Sequence, residues 1–203
     1  MEMRPSLSKV DTLIDSKSGK PQLAFLKECL RIEVINRAGK KKFSWLRVMH
    51  RLLTSPDKRF YFWWRLASYF HQTDNKLLRK RARKINRKLC RKYSIDIALD
   101  AEIGPGMKIN HGFGIVIRPE CKIGSRLNIR HGVTIGRKTN GDVSGRTIIG
   151  DNVDLGAHAL IIGDVNIGNN VVIGAGTFVN RHIPDNATVF NPKSTQVLIH
   201  SNN

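Results

Sequence analysis

An aliphatic residue returns at every sixth position through the second half of the chain, and this period constrains the fold more than any other feature. The repeat runs in three frames: Ile97, Ile103 and Ile109; then Ile117, Ile123, Ile129 and Ile135; then Ile149, Leu155, Ile161, Ile167, Ile173 and Val179. A helix places apolar residues three and four apart, and a half-buried strand alternates strictly. A period of six fits neither pattern. It predicts short strands that are joined by tight turns and wound into a prism.

A second set of small or apolar residues lies four places after the aliphatic ones. Its members are Ala101, Met107, Phe113, Cys121, Leu127, Val133, Val153, Ala159, Val165, Val171, Thr177 and Ile183. Glycine directly follows seven of the leading aliphatic residues, and glycine permits turn conformations that a Cβ atom hinders. We therefore expect both sets to point inward and to fill a parallel β-helix.

The repeat resembles the hexapeptide-repeat acyltransferases over residues 94–193, about half of the chain. The resemblance is strongest to the serine acetyltransferase branch and, within it, to enzymes that O-acetylate capsular or extracellular polysaccharide. It implies a left-handed parallel β-helix with three hexapeptides per coil, although the period alone does not determine the hand. It also implies acetyl-CoA as acyl donor and a homotrimer with active sites between subunits.

The N-terminal part has a different pattern. Segments 23–35, 45–53, 60–70 and 76–92 carry helical periodicity, so a small α-helical region precedes the β-helix. We divide the chain into a flexible lead-in (1–20), a basic α-helical region (21–93), the β-helix (94–189) with a loop at 136–147, and a tail (190–203). The lead-in is polar and lacks the apolar stretch of a signal peptide.

The net charge of +19 is concentrated in one predicted helix. Ten basic residues and no acidic one lie between Lys76 and Lys92, around an apolar stripe formed by Leu78, Ala82, Ile85 and Leu89. Two interpretations remain open: a solvated face, or a surface for an anionic glycan, a lipid-linked precursor or a membrane. The aromatic residues of segment 60–70 favour a membrane contact through residues 60–92. Nucleic acid is disfavoured because no recognised motif accompanies the charge.

Cysteine usage bears on the compartment. Cys29, Cys90 and Cys121 form no CxxC pair, and an odd count without a secretion signal is typical of a reducing cytosol. Cys121 occupies an inward repeat position, which predicts core packing. We expect a cytoplasmic protein, with the membrane contact placing it at the inner face of the membrane.

The repeat is interrupted first between Ile109 and Ile117, where the spacing is eight. The intervening stretch Asn110-His111-Gly112-Phe113-Gly114 predicts a bulge with His111 pointing outward. An imidazole with a near-neutral pKa can take a proton from a hydroxyl group that attacks a thioester. The alternative is a surface histidine without a role.

The resemblance extends to this site. Serine acetyltransferases carry His-x-x-Gly-Ile-Val at the catalytic histidine, and His111 begins the matching stretch here. The family's orienting aspartate lies fifteen residues upstream, where this chain has Asp96, which otherwise reads as a turn residue. His131 lies two places after Ile129, as His111 does after Ile109, so the two imidazoles are expected one strand spacing (~4.8 Å) apart. We expect His131 to assist acceptor binding or to share the base role.

A second interruption separates Ile135 from Ile149. In the family this loop covers the active site and carries an Arg-His pair that holds serine, whereas this chain reads Ser144-Gly145-Arg146 without a histidine. The family's aspartate before the catalytic histidine is Asn110 here. Both departures concern serine recognition and favour a sugar hydroxyl. The candidate acceptor-binding residues are Asn110, Arg137 and Arg146.

The resemblance also implies a donor site. Ala157 and Ala175 follow glycines eighteen residues apart and match positions along which relatives lay the pantetheine arm, although small residues also suit plain turn sterics. Gly136 is the candidate backbone donor to the oxyanion, and Lys193 the candidate contact for the CoA phosphates. No carboxylate and histidine set has metal-ligand spacing, so no metal is expected.

The leading prediction is an acetyl-CoA-dependent O-acetyltransferase acting on a capsular or other polysaccharide or glycan, with an anionic or lipid-linked glycan as acceptor. Serine O-acetyltransferase is one alternative. A non-catalytic β-helix serving as a basic interaction scaffold is the other.

Overall fold

The computed structural model describes residues 23–35, 42–137 and 146–192. The predicted lead-in, most of the loop at 136–147, and the tail from Lys193 onward lie outside the described residues. The four segments predicted as helical are helical.

The helices come first along the chain. α1 (Leu23–Leu30) runs into a π-helix (Arg31–Ile35), followed by α2 (Trp45–Thr54), α3 (Lys58–His71) and α4 (Lys76–Tyr93). α4 begins at Asn75, whose side-chain oxygen accepts hydrogen bonds from the amides of Leu77 and Leu78, as expected of an N-cap. The helix ends at Ser94, which has a left-handed backbone (φ 53°) and turns the chain into the first strand.

Within the described residues, fourteen short strands then build the β-helix. They are β1 (Ile95–Ile97), β2 (Glu102–Ile103), β3 (Lys108–Asn110), β4 (Ile115–Ile117), β5 (Cys121–Ile123), β6 (Asn128–Arg130), β7 (Thr134–Gly136), β8 (Thr147–Ile149), β9 (Asp154–Leu155), β10 (Leu160–Ile162), β11 (Asn166–Ile167), β12 (Val172–Ile173), β13 (Phe178–Val179) and β14 (Thr188–Val189). They form three parallel sheets: the first β1-β4-β7-β10-β13, the second β2-β5-β8-β11 and the third β3-β6-β9-β12-β14. Three strands therefore make one coil, as predicted, and the architecture is that of a left-handed parallel β-helix.

The core follows the period of six. Ile117 pairs with Ile135, and Ile149 pairs with Ile167, so regular coils advance by eighteen residues. Cys121 is buried within the prism, which confirms its predicted packing role. The prediction that Phe113 points inward is wrong, because its side chain is 68% exposed. The two extra residues of the bulge shift the frame, and Ile115 takes the inward position instead.

The helices close the first coil of the prism. Trp64 Nε1 donates to the carbonyl of Ile97 (3.2 Å), and Arg65 donates to the carbonyls of Ile103 (2.6 Å) and Gly104 (2.7 Å). The Tyr61 hydroxyl accepts from the amide of Ile109 (2.9 Å). The helices bury these backbone groups away from water, and the side chains of α3 supply the hydrogen bonds that the groups would otherwise lack. α3 is therefore the N-terminal cap of the β-helix.

This cap corrects the interpretation of the aromatic segment 60–70. Phe60, Tyr61, Phe62 and Trp64 are buried against the β-helix and the other helices. They do not form a membrane-facing surface. Within the described ranges, no helix has the length and apolar character needed to cross a bilayer.

Candidate active site

The turns that lead from the third sheet to the first stack into one edge of the prism, which we call the histidine corner (residues 111–114, 131–133, 156–159 and 174–177). Backbone hydrogen bonds hold the stack: Gly132 to Phe113 (2.8 Å), His158 to His131 (2.9 Å), and Gly176 to Ala157 (2.8 Å). Each step along the corner is one strand spacing, about 4.8 Å. His111 lies near one end of this edge and Ala175 near the other.

His111 follows β3 directly and is exposed, with a left-handed backbone (φ 53°) at the bulge. Ile109 pairs with Ile129 and Asn110 with Arg130, so His111 and His131 directly follow paired strands in adjacent coils. The stacking of the two imidazole rings stays a prediction. Their chemical roles stay predictions.

The ring contact of His131 is with a third histidine that the sequence analysis missed. The rings of His131 and His158 pack edge to face with centroids 5.0 Å apart. Nδ1 of His131 is enclosed and has no hydrogen-bond partner among the residues that the structure describes. A Cβ atom on Gly132 (φ +69°) would lie 2.2 Å from Nδ1 of His158, so only glycine fits beneath that ring.

A ladder of polar side chains supports the corner from the third sheet. Asn110 Nδ2 donates to Asn128 Oδ1 (2.5 Å), and Asn128 Nδ2 donates to Asp154 Oδ2 (2.9 Å). Arg130 forms an ion pair with Asp154. Because Asn110 and Arg130 immediately precede His111 and His131, the ladder fixes the backbone from which both histidines project. The Asn110 amide is therefore already engaged within the chain.

Asp96 lies in the middle of β1 with an exposed side chain, opposite Val116. The amide of Gly114 donates to the carbonyl of Ser94 (2.7 Å), which holds the bulge against the start of β1. In the described part of this single chain, no side-chain hydrogen bond joins Asp96 to His111. Its orienting role stays a prediction, since catalytic hydrogen bonds often tighten only when substrate binds.

The predicted donor residues Ala157 and Ala175 also lie at the histidine corner, in the third and fourth coils. Close stacking selects small residues here, because a Cβ atom on Gly156 would come within 2.5 Å of the Ala175 amide nitrogen. The small side chains of Ala157 and Ala175 lie on the same edge as the paired rings of His131 and His158. Their role in holding a linear acyl donor stays a prediction.

Three other predicted residues lie elsewhere in the subunit. Gly136 ends β7, Arg137 follows it, and Arg146 precedes β8, all near the edge between the first and second sheets. Arg137 pairs with Glu120, and Arg146 Nη1 lies 3.6 Å from Glu102 Oε1. One chain does not bring these residues to the histidine corner, and their substrate and oxyanion roles stay predictions. Lys193 lies outside the described residues.

The two buried cysteines lack the features of nucleophiles. Burial raises the pKa of Cys29 to about 12 and that of Cys121 to about 11, so both stay protonated thiols near neutral pH. Within the described ranges no group of three or more metal-ligating side chains is arranged to hold a metal ion. The chemistry available at the corner is that of imidazole and backbone amides.

Comparisons with known proteins agree with this geometry. Residues 144–181 match the family model described as bacterial transferase hexapeptide (six repeats). A serine acetyltransferase from Synechococcus elongatus is 34% identical over 95 residues, which cover 47% of this chain and 39% of that protein. A protein of Escherichia coli K12 named for colanic acid biosynthesis acetyltransferase activity, WcaB, is 41% identical over 107 residues, which cover 53% of this chain and 65% of WcaB.

A solved structure shows the same architecture. The soybean serine acetyltransferase apoenzyme superposes with a TM-score of 0.67 at 28% identity, covering 83% of this chain and 68% of that one. The chain spans about two fifths of the Synechococcus enzyme and just under two thirds of WcaB. The repeat, the three-sheet prism and these likenesses make the chain similar to the hexapeptide-repeat transferases.

Proposed function

We propose that the protein is an acetyl-CoA-dependent O-acetyltransferase whose general base is His111. The observation that carries this proposal is the histidine corner, where the exposed His111 follows β3 at a bulge and three histidines lie along one edge of the prism. His111 takes the proton of an acceptor hydroxyl as its oxygen attacks the thioester carbonyl carbon. The tetrahedral intermediate then collapses, the C–S bond breaks, and the imidazolium returns the proton to the CoA sulfur. Backbone amides would stabilise the oxyanion, with Gly136 as the predicted donor.

The other corner residues act through His111 or on the acceptor. Asp96 would hold the imidazole in one tautomer and stabilise the imidazolium, as a carboxylate does beside a catalytic histidine. His131 follows the paired strand one coil away, and its imidazole would form a hydrogen bond with a polar group of the second substrate. We assign that group to the acceptor.

We propose a sugar hydroxyl of a polysaccharide or glycan as the acceptor. Asn110 stands where serine-specific relatives carry an acidic ligand, and its amide is engaged with Asn128. The loop reads Ser144-Gly145-Arg146 without the histidine of those relatives. The match to WcaB, whose name refers to colanic acid, supports the same class. The serine acetyltransferase relatives and structures favour L-serine as the second candidate.

The acceptor class is tested by thiol release from acetyl-CoA with L-serine and with a panel of capsule-type oligosaccharides. We expect turnover with at least one oligosaccharide and none above background with serine. Turnover with serine alone would overturn the glycan assignment and leave the transferase assignment intact. Absence of both turnover and CoA binding would favour the non-catalytic scaffold.

We propose that the working form is a homotrimer in which first sheets pack together. Leu160 and Phe178 are paired neighbours on the outer face of that sheet and are exposed, as is Phe113 at the adjoining corner. An apolar column of this kind on a folded surface is typical of an interface. A trimer would also bring residues of a second chain, such as Arg137 and Arg146, toward the histidine corner.

Phe178→Glu is therefore expected to shift the protein from three chains to one in multi-angle light scattering. A carboxylate buried at a close-packed apolar interface costs several kcal/mol for each subunit pair. Val172→Glu is the matched control, since Val172 is an exposed apolar residue on the third sheet, in the strand that precedes Phe178. A variant Phe178→Glu that stays trimeric, or a Val172→Glu protein that dissociates equally, would contradict the proposed interface.

We also expect the protein to act in the cytoplasm. Its three cysteines are free, and Cys29 and Cys121 are buried, a pattern typical of proteins from reducing compartments.

A further inference from the structure

The positive charge of the chain belongs to the helices and not to the β-helix. Residues 42–93 contain sixteen Lys and Arg residues against two acidic ones, whereas residues 94–192 contain nine of each. The part that carries the proposed chemistry is thus electrically balanced. The surplus charge needs an explanation outside the acyl-transfer site.

α2 exposes an apolar stripe to solvent. Leu46, Met49 and Leu53 are 83%, 52% and 76% exposed, and their spacing of three and four places them on one face, with exposed Trp45 one turn before Met49. Val48 and Leu52 are buried against the rest of the cap. The apolar face of α2 is therefore wider than the part of it that packs against the rest of the protein.

Both α2 and α4 carry exposed basic residues. The remaining face of α2 carries exposed Arg47, His50 and Arg51, and α2 contains no acidic residue. All ten basic residues of α4 are exposed, and none forms an ion pair with a carboxylate in the part of the chain that the structure describes. Exposed cations on the same helix as an exposed apolar stripe match the composition of helices that lie in the interface of an anionic membrane.

We propose that α2 docks in the plane of an anionic phospholipid surface, with the Trp45, Leu46, Met49 and Leu53 side chains in the interfacial region. Arg47, Arg51 and the basic residues of α4 would add electrostatic attraction to the lipid headgroups. A second copy of the chain is the less suitable occupant. Two apposed α2 helices would bring four arginines together without any carboxylate on either helix to pair with them.

This inference is independent of the proposed function, because α2 lies in the cap and the histidine corner lies on the β-helix. It replaces the expected contact of the aromatic segment 60–70, in which Phe60, Tyr61, Phe62 and Trp64 are buried, with a contact through α2. The consequence is a transferase held at a surface where lipid-linked acceptors would be encountered.

The test is co-sedimentation of the full chain with sucrose-loaded vesicles of phosphatidylcholine alone or of phosphatidylcholine with phosphatidylglycerol. We expect binding to the vesicles that contain phosphatidylglycerol, together with a blue shift of tryptophan emission that Trp45→Phe removes. The double variant Leu46→Ser/Leu53→Ser is expected to weaken partitioning by at least about tenfold. Leu77→Ser, which removes an exposed leucine of α4, is the matched control and should stay within about twofold of the wild type.

Three results would overturn the proposal. The first is a wild-type chain that fails to bind anionic vesicles. The second is a double variant that binds them as well as the wild type. The third is a wild-type chain that does not bind vesicles together with a double variant that forms a smaller oligomer in sedimentation velocity. The last result would assign the stripe to a contact between copies. Acetyl transfer to a soluble acceptor should be equal in the double variant and in Leu77→Ser, so failure here is distinguishable from failure of the proposed function.

Discussion

His111→Ala is expected to lower the kcat of acetyl transfer by about 10²- to 10⁴-fold, the range that a positioned general base contributes. The acceptor hydroxyl then lacks the imidazole that is proposed to take its proton as it attacks. The donor edge at Ala157 and Ala175 lies two and three coils away, so the Kd for CoA should change little. Stopped-time thiol release and isothermal titration with CoA measure the two quantities separately.

The matched control is His50→Ala, which removes an exposed histidine from α2 and should leave kcat in a soluble assay unchanged. Asp96→Asn and His131→Ala should each give losses between the control and His111→Ala, because both residues are proposed to act through the base or on the acceptor. A His111→Ala enzyme within tenfold of wild type would remove His111 as the base. Full activity in His131→Ala would remove that residue from the mechanism.

Glu33→Ala is expected to lower the free energy of unfolding by about 3–5 kcal/mol, the cost of breaking a buried ion pair from one side. Glu33 Oε1 lies 2.6 Å from Arg65 Nη2 and also accepts hydrogen bonds from the amides of Gly106 (3.0 Å) and Met107 (2.9 Å). Both charged side chains are almost fully buried. The substitution leaves a buried guanidinium and two buried amides without this partner, which loosens the cap from the first coil.

The neighbouring pair Glu28–Arg31 offers the control, because it joins the same residue types but is partly exposed. Glu28→Ala should cost less than about 1 kcal/mol, as surface pairs do. Urea unfolding at one fixed chain concentration compares the variants, since an oligomer's stability depends on concentration. Equal losses for the two substitutions would contradict the capping role of Glu33.

The double variant Glu33→Leu/Arg65→Met distinguishes the ion pair from the cap. Replacing a buried ion pair by apolar residues is often neutral. Here the carbonyls of Ile103 and Gly104 would still lose their donors, and the amides of Gly106 and Met107 their acceptor. We expect the double variant to stay destabilised, whereas wild-type stability would show that the backbone contacts contribute nothing.

The sequence alone determined the β-helix, its three frames and the inward residues. Each six-residue repeat contains its own inward-facing residues and its own turn. The buried positions can therefore be identified by counting along the sequence. The same counting located the bulge. It also placed His111 and His131 in adjacent coils, because their separation is one coil of eighteen residues plus the two inserted residues. It failed at Phe113, where those inserted residues change the phase.

Only the tertiary structure decided which distant groups meet. His131 and His158 are twenty-seven residues apart, and the insertion at 136–147 hides the coil register that brings their rings together. The helices could not be placed from the sequence for the same reason. An apolar helix face indicates that something will cover it but does not identify the covering surface. The aromatic face of α3 covers the first coil of the prism, whereas the stripe on α2 stays exposed. The difference arises because Trp64, Arg65 and Tyr61 can form hydrogen bonds with the backbone groups of that coil. Leu46 and Leu53 have no polar side-chain atoms with which to do so.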